Sequence, residues 1–138
     1  MVTIYIAGAL FSQAELEFNK KLQRAVSEAG FSVFLPQEDA KDNQDMRDDR
    51  DHFSIFSQCL NGLKKSDIVV AVLEGTDVDS GTAWEIGYAY AQGMPVIGLR
   101  TDFRIQTPGE RVNLMIQESL TEFAGTIEDL KNILKKYG

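Results

Sequence analysis

Cysteine and histidine are almost missing from this 138-residue chain, which carries one of each, Cys59 and His52. A lone cysteine excludes an internal disulfide and fits a reducing compartment. A lone histidine, with no second His or Cys at ligand spacing, argues against a metal site, so no metal is expected. Basic residues are in deficit, 14 Lys and Arg against 21 Asp and Glu, giving a net charge of −7. That balance excludes a nucleic-acid partner, because gripping a phosphate backbone requires a basic face. No apolar run approaches the roughly 18 residues that cross a bilayer. The opening "VTIYIAG" lacks the basic-then-apolar pattern of a secretory signal, so the expectation is a soluble cytoplasmic chain with no membrane partner. Only 3 prolines occur beside 11 glycines, and charged residues make up 25%, a globular composition. Neither a repeat nor a linker interrupts the chain, so residues 1–138 are expected to form one domain. A hydrophobic content of 43% is enough to bury a sizeable core.

What is present is an alternation. Short β-branched runs stand at 2–7, 31–35, 68–73 and 95–99, and the third, "IVVAVL", is nearly continuously apolar, as in a strand covered on both faces. Helical patterns separate them. Ser12 and Glu15 have capping-box spacing, Leu16, Leu22, Val26 and Ala29 follow at helical intervals, and Gly30 closes the segment. Phe53, Phe56, Leu60 and Leu63 recur within 51–65, with Cys59 read as a packed core thiol rather than a nucleophile. Thr126 and Asp129 open a last helix. The pattern predicts a three-layer α/β fold, flavodoxin-like and doubly wound, around a mainly parallel five-stranded sheet of order 2-1-3-4-5. Its fifth strand falls near 119–124. The stretch 38–51 holds seven acids and three bases and reads as a mobile, solvated loop over one end of the sheet.

Such sheets bind ligands at the carboxyl ends of the strands, where the strand order reverses. Here that crevice lies between the first and third strands, faced by "AGALFSQ" and "EGTDVDSG". The first holds one glycine where a dinucleotide fingerprint needs G-x-G-x-x-G, and no P-loop is present. The second runs into "DSGTAWEIGYAYAQG", where Thr82 and Glu85 have T-x-x-E spacing. As a plain cap, Glu85 would bond back to the N–H of Thr82. The alternative is a carboxylate with chemistry to perform beside Asp79, across a turn through Ser80 and Gly81. Ala83, Gly87 and Tyr90 share one stripe and read as the face packed on the sheet, which would direct Glu85 away from it.

Together, "IYIAGALF", "SDIVVAVLEG", "DVDSGTAWEIGYA" and "VNLM" resemble the nucleoside 2-deoxyribosyltransferase family over residues 2 to about 117. The resemblance implies an enzyme that moves 2-deoxyribose between nucleobases without a cofactor, with 2′-deoxynucleosides and free bases as its small-molecule partners. Glu85 corresponds to the nucleophile, Asp79 to a sugar-orienting aspartate, and Tyr5 to a tyrosine that positions the nucleophile. Gly8 and Phe11 fall on the loop lining the pocket, Gly81 in the turn, and Gln37 at a base-contacting position. Asn113 of "NLM", followed by Met115, resembles a segment donated by a neighbouring subunit, which implies a homo-oligomer. Where some members carry an aspartate that handles the proton of the base, this chain has Cys59. Asp39, another acid of 38–51, or water is then left to supply that proton.

Two other readings accompany this one. A related activity is hydrolysis of deoxynucleoside 5′-monophosphates, for which Arg100 and Arg104 are the candidate phosphate ligands. The other is a non-catalytic nucleotide-sensing module on the same fold.

Overall fold

The computed structural model describes residues 1–40 and 52–138. Five strands, β1 (Thr3–Ala7), β2 (Ser32–Phe34), β3 (Ile68–Val72), β4 (Val96–Leu99) and β5 (Glu122–Ala124), form one all-parallel sheet of order β2-β1-β3-β4-β5. This is the expected flavodoxin-like α/β architecture. The helices are α1 (Gln13–Glu28), α2 (Pro36–Asp39), α3 (His52–Lys65), α4 (Ser80–Ala91), α5 (Leu114–Gln117) and α6 (Ile127–Leu134). Among the described residues no helix is long and apolar enough to cross a membrane.

Strand parity sorts the core into two layers, because successive side chains leave a strand on opposite faces. Ile4 and Ile6 of β1 join Leu22 and Val26 of α1 and Leu130 and Leu134 of α6. Tyr5 and Ala7 point the other way, joining Leu63 of α3 and Ile86 and Ala89 of α4. At about 1.5–3 kcal/mol for each large apolar side chain removed from water, each layer contributes substantially to stability.

Local signals set the helix starts. Ser12 Oγ accepts from the Glu15 N–H at 3.2 Å while Glu15 Oε1 accepts from the Ser12 N–H at 2.9 Å, the reciprocal box expected. Thr126 Oγ1 caps α6 through the Asp129 N–H at 3.0 Å. The inward stripe of α1 is Asn19, Leu22 and Val26, whereas Leu16 is 37% exposed and Ala29 is exposed too. Asn19 thus holds an inward position that apolar spacing assigned to Leu16. Within α3, Leu63 is buried but Phe53 and Phe56 are exposed. Of the stretch read as a mobile loop, Glu38 and Asp39 belong to α2, while 41–51 lies outside the described residues.

Candidate active site

The site grows from the parity of β1. Tyr5 is fully buried on the α3/α4 face, its ring stacked on Phe34 of β2 with centroids 5.3 Å apart. A Cβ on Gly62 of α3 would meet that Phe34 ring at 2.6 Å, so only glycine lets α3 close over the pair. Held this way, the Tyr5 hydroxyl reaches α4 and donates a short hydrogen bond to Glu85 Oε2.

That bond overturns two expectations about α4. The buried residues of this helix are Thr82, Ile86 and Ala89, whereas Tyr90 is 63% exposed and Gly87 is exposed as well. The packed stripe is therefore 82–86–89, and Glu85, 60° from Thr82 around the helix by the 100° step, lies on its flank and turns toward the sheet. The helix is apolar on several faces, so small-residue spacing did not single out the inward one. Nor does Thr82 cap the helix. Asp79 is the N-cap, its Oδ2 accepting from the Thr82 N–H at 3.1 Å and the Thr82 hydroxyl at 3.3 Å. The reciprocal bond of a capping box is absent, which leaves Glu85 for Tyr5.

Two loops bring Asp79 to this place. Arg100, only 5% exposed at the end of β4, donates through Nη1 to the carbonyls of Leu73 (2.5 Å) and Gly75 (2.8 Å), and through Nη2 to that of Arg104 (2.8 Å). Glu74 accepts from the N–H groups of Thr101 (2.7 Å) and Asp102 (3.0 Å). The segment leading from β3 to Asp79 is thus tied to the exit of β4. On the other side, buried Asn19 donates to the carbonyl of Ala9 at 2.9 Å and fixes the loop after β1. A Cβ on Gly8 would sit 3.1 Å from Val72 Cβ, so glycine brings that loop against β3. The candidate phosphate ligands are corrected by the same geometry. The Arg100 guanidinium faces carbonyls, and Arg104 pairs with Asp102.

Between the loops opens a cavity of about 640 Å³, in the range of small-molecule sites. Gly8, Asp79, Ser80, Gly81 and Glu85 form its polar end. Phe11, Pro36, Ile55, Phe56, Leu60 and Trp84 supply an apolar wall, with Phe56 packed edge-on against Trp84 at 5.8 Å. Burial first, and then the Asp79 charge, push the Glu85 carboxyl up to about 7, against the lowering effect of the Tyr5 hydrogen bond. Burial and the Glu85 charge push Tyr5 well above the ordinary phenol range, so it remains a donor. A carboxylate poised near neutrality in the lining of an apolar cavity suits nucleophilic or proton-transfer chemistry. No group of three or more His, Cys, Asp or Glu gathers as a metal cluster among the described residues.

The nucleoside 2-deoxyribosyltransferase family model matches residues 4–115. The chain belongs to this family. A solved 2-deoxyribosyltransferase from Bacillus psychrosaccharolyticus is 27% identical over 95% of this chain and 91% of its own, with a TM-score of 0.84. A conserved protein from Enterococcus faecalis is 31% identical over 100% and 99%, with a TM-score of 0.85. The 2-deoxyribosyltransferase of Leishmania mexicana shares the fold at 20% identity, covering 99% of each chain with a TM-score of 0.78. No curated protein sequence matches the chain.

Of the residues that the sequence resemblance brought forward as candidates, Gly8, Phe11, Asp79, Gly81 and Glu85 line this cavity, and Tyr5 lies behind it, bonded to Glu85. Four other candidates, Gln37, Asp39, Asn113 and Met115, are not part of its lining. Gln37 accepts from Asn19 Nδ2 at 3.0 Å and donates to the Leu16 carbonyl at 3.1 Å, which holds its amide against α1. Asn113 is exposed and caps α5 through the Met115 N–H at 2.9 Å, and Met115 is 72% exposed. Asp39 accepts from the Leu35 N–H at 2.8 Å within its own turn. Cys59 departs from the core reading, since it is half-buried and lines the cavity. Sequence reasoning missed Trp84, Phe56 and Asn19 as parts of the site. The hydrophobic count around α4 was the available signal for Trp84, because one face could not hold it all.

Proposed function

We propose that this family member exchanges the nucleobase of 2′-deoxynucleosides through a covalent deoxyribosyl ester on Glu85, with retention at C1′. The observation that carries the reading is the Glu85 carboxylate, held by the Tyr5 hydroxyl at the polar end of the cavity beside Asp79. Breaking the bond from C1′ to the base creates oxocarbenium character, which a nearby anion stabilises and captures, as in a retaining glycosidase. The departing base takes the bonding electron pair and acquires a proton. A second base then attacks C1′ from the face the first one left, displacing Glu85 as a carboxylate and restoring the β configuration. Tyr5 holds the carboxylate oriented and ionised, and Asp79, fixed by Thr82, binds the sugar. The apolar wall of Phe11, Phe56 and Trp84 suits a planar heterocycle, and a base stacked there would have to shield the ester from water, as transfer rather than hydrolysis requires.

A phosphate on the substrate finds no support among the described residues, because Arg100 and Arg104 have other partners and the polar end is acidic. The exposed Asn113 and Met115 fit a segment that completes the site of a neighbouring subunit, which makes the active form at least a dimer. The cytoplasm, where salvage of nucleosides takes place, is the compartment this reading implies.

The test is to incubate the protein with a 2′-deoxynucleoside and a different free base and to separate the products by chromatography. Formation of the new deoxynucleoside with ping-pong kinetics is expected. A folded sample that forms none overturns the proposal.

A further inference from the structure

Helix α1 buries Asn19, Leu22 and Val26. Leu22 and Val26 fill the closed layer of the core, but Asn19, 3% exposed, is an amide at a position where a leucine would pack at lower cost. Its NH2 group has two protons to donate, and they go to two different segments. One reaches the carbonyl of Ala9 at 2.9 Å, between the cavity-lining Gly8 and Leu10. The other reaches Gln37 Oε1 at 3.0 Å, next to the cavity-lining Pro36. We propose that Asn19 is a positioning residue for base binding: its amide ties the loop after β1 to α2, and so fixes the segments that carry Phe11 and Pro36 into the cavity lining.

Other residues of α1 and α2 complete the tie. Glu15, one turn before Asn19, accepts through Oε1 from the N–H groups of Phe11 (3.0 Å) and Ser12 (2.9 Å). The loop is thus gripped at Ala9 and again at Phe11 by side chains four residues apart on one helix face. Gln37 donates to the Leu16 carbonyl at 3.1 Å, which returns α2 to the same helix. A Cβ on Gly8 would lie 3.3 Å from Asn19 Oδ1, so glycine lets the loop settle against the amide. Helix α1 itself contributes no described residue to the cavity lining, yet it sets the position of Gly8, Leu10, Phe11 and Pro36, which do line it. Without Asn19 the oxygens of Ala9 and Gln37 each lose a donor, and the wall must be ordered when a base binds rather than beforehand. Once the base is seated the wall is in place, so the loss falls on KM more than on kcat. That the ordered wall serves a nucleobase rests on the function proposed above, whereas the tie between the two segments does not.

Two readouts test this. Amide hydrogen exchange, followed by mass spectrometry without substrate, reads the tie. Asn19→Asp keeps the shape of the side chain and removes both donors, and Asn19→Leu removes the polar group altogether. Either should quicken exchange about tenfold in 8–12 and 36–40 together, while α6 exchanges as in wild type. Gln37→Leu, at a half-buried position, should quicken 36–40 alone. Base-transfer kinetics read the use of the tie. KM for the free base should rise about fivefold to tenfold in Asn19→Asp, with kcat within about twofold of wild type. Leu22→Ala, in the same buried stripe of α1, is the control for a merely structural loss and should leave KM unchanged. The positioning role is overturned if the Asn19 variants leave both segments exchanging like wild type, if exchange quickens with KM unchanged, or if Leu22→Ala raises KM equally. Should neither Asn19 variant fold, Gln37→Leu decides: faster exchange at 36–40 with KM raised about twofold upholds the role, and wild-type behaviour overturns it. The expected exchange pattern in a protein that transfers no bases would uphold the tie and overturn the transferase reading instead.

Discussion

On one side of the sheet, Ile4, Ile6, Leu22, Val26, Leu130 and Leu134 are all buried in an apolar layer closed by α1 and α6. On the other, α3 and α4 cover Tyr5, Val69, Ile86 and Ala89, but the layer opens into a cavity and admits the Tyr5 hydroxyl and the Glu85 carboxylate. Both faces hang on the same five strands. The closed face places no constraint on chemistry, so it can be packed wholly for stability. The open face holds a carboxylate away from water at a standing energetic cost, as functional sites often do.

The sharpest break in that comparison comes from Glu85→Ala. On the open face it should lower kcat/KM for base exchange by about 10⁴-fold, roughly 5 kcal/mol of barrier, while the fold persists. Assays on protein verified by circular dichroism check this. On the closed face, Leu22→Ala should cost about 2–5 kcal/mol of stability in urea melts and leave KM unchanged in the folded fraction. Arg100→Leu lies between the two, since it strips donors from the carbonyls of Leu73, Gly75 and Arg104. A loss of about 2–3 kcal/mol is expected, with a raised KM as the segment before Asp79 loosens.

Glu85→Gln sharpens the contrast through pH. The folded carboxyl titrates at about 7 against an ordinary 4.5. Between those values the folded state keeps a proton that the unfolded chain has released, so rising pH removes stability across that window. Above it, the ionised carboxylate costs on the order of 3 kcal/mol. The glutamine variant should therefore melt at higher temperature than wild type at pH 8 and at nearly the same temperature at pH 4. By the same titration, wild-type kcat/KM should rise with pH through about 7, because only the ionised group attacks. Smallest of all, Gly87→Ala on the exposed back of α4, where a Cβ meets nothing within 4 Å, should stabilise by about 0.5–1 kcal/mol without changing activity.

Much of this molecule was legible from local pattern. Apolar runs located four strands, the fifth was expected near 119–124 and lies at Glu122–Ala124, the Ser12 and Thr126 caps marked two helix starts, and the run from Asp79 to Glu85 drew attention to a turn that lines the cavity. Misreadings arose where a helix is apolar on more than one face. Ala83, Gly87 and Tyr90 formed a consistent stripe in α4, yet Thr82, Ile86 and Ala89 are the residues that meet the sheet. Arg100 looked like a free cation because a sequence does not display the carbonyls at the ends of neighbouring strands.

The sequence by itself determined the order of elements, the parallel sheet and the carboxylate at the crevice, because each depends on spacing along the chain. Tertiary structure alone decided that Glu85 faces Tyr5, that Asp79 rather than Thr82 caps α4, and that Cys59 lies on the cavity wall. Those outcomes depend on which helix face meets which strand parity, across 80 residues between Tyr5 and Glu85. Close packing of α3 and α4 against the sheet is what selects that face.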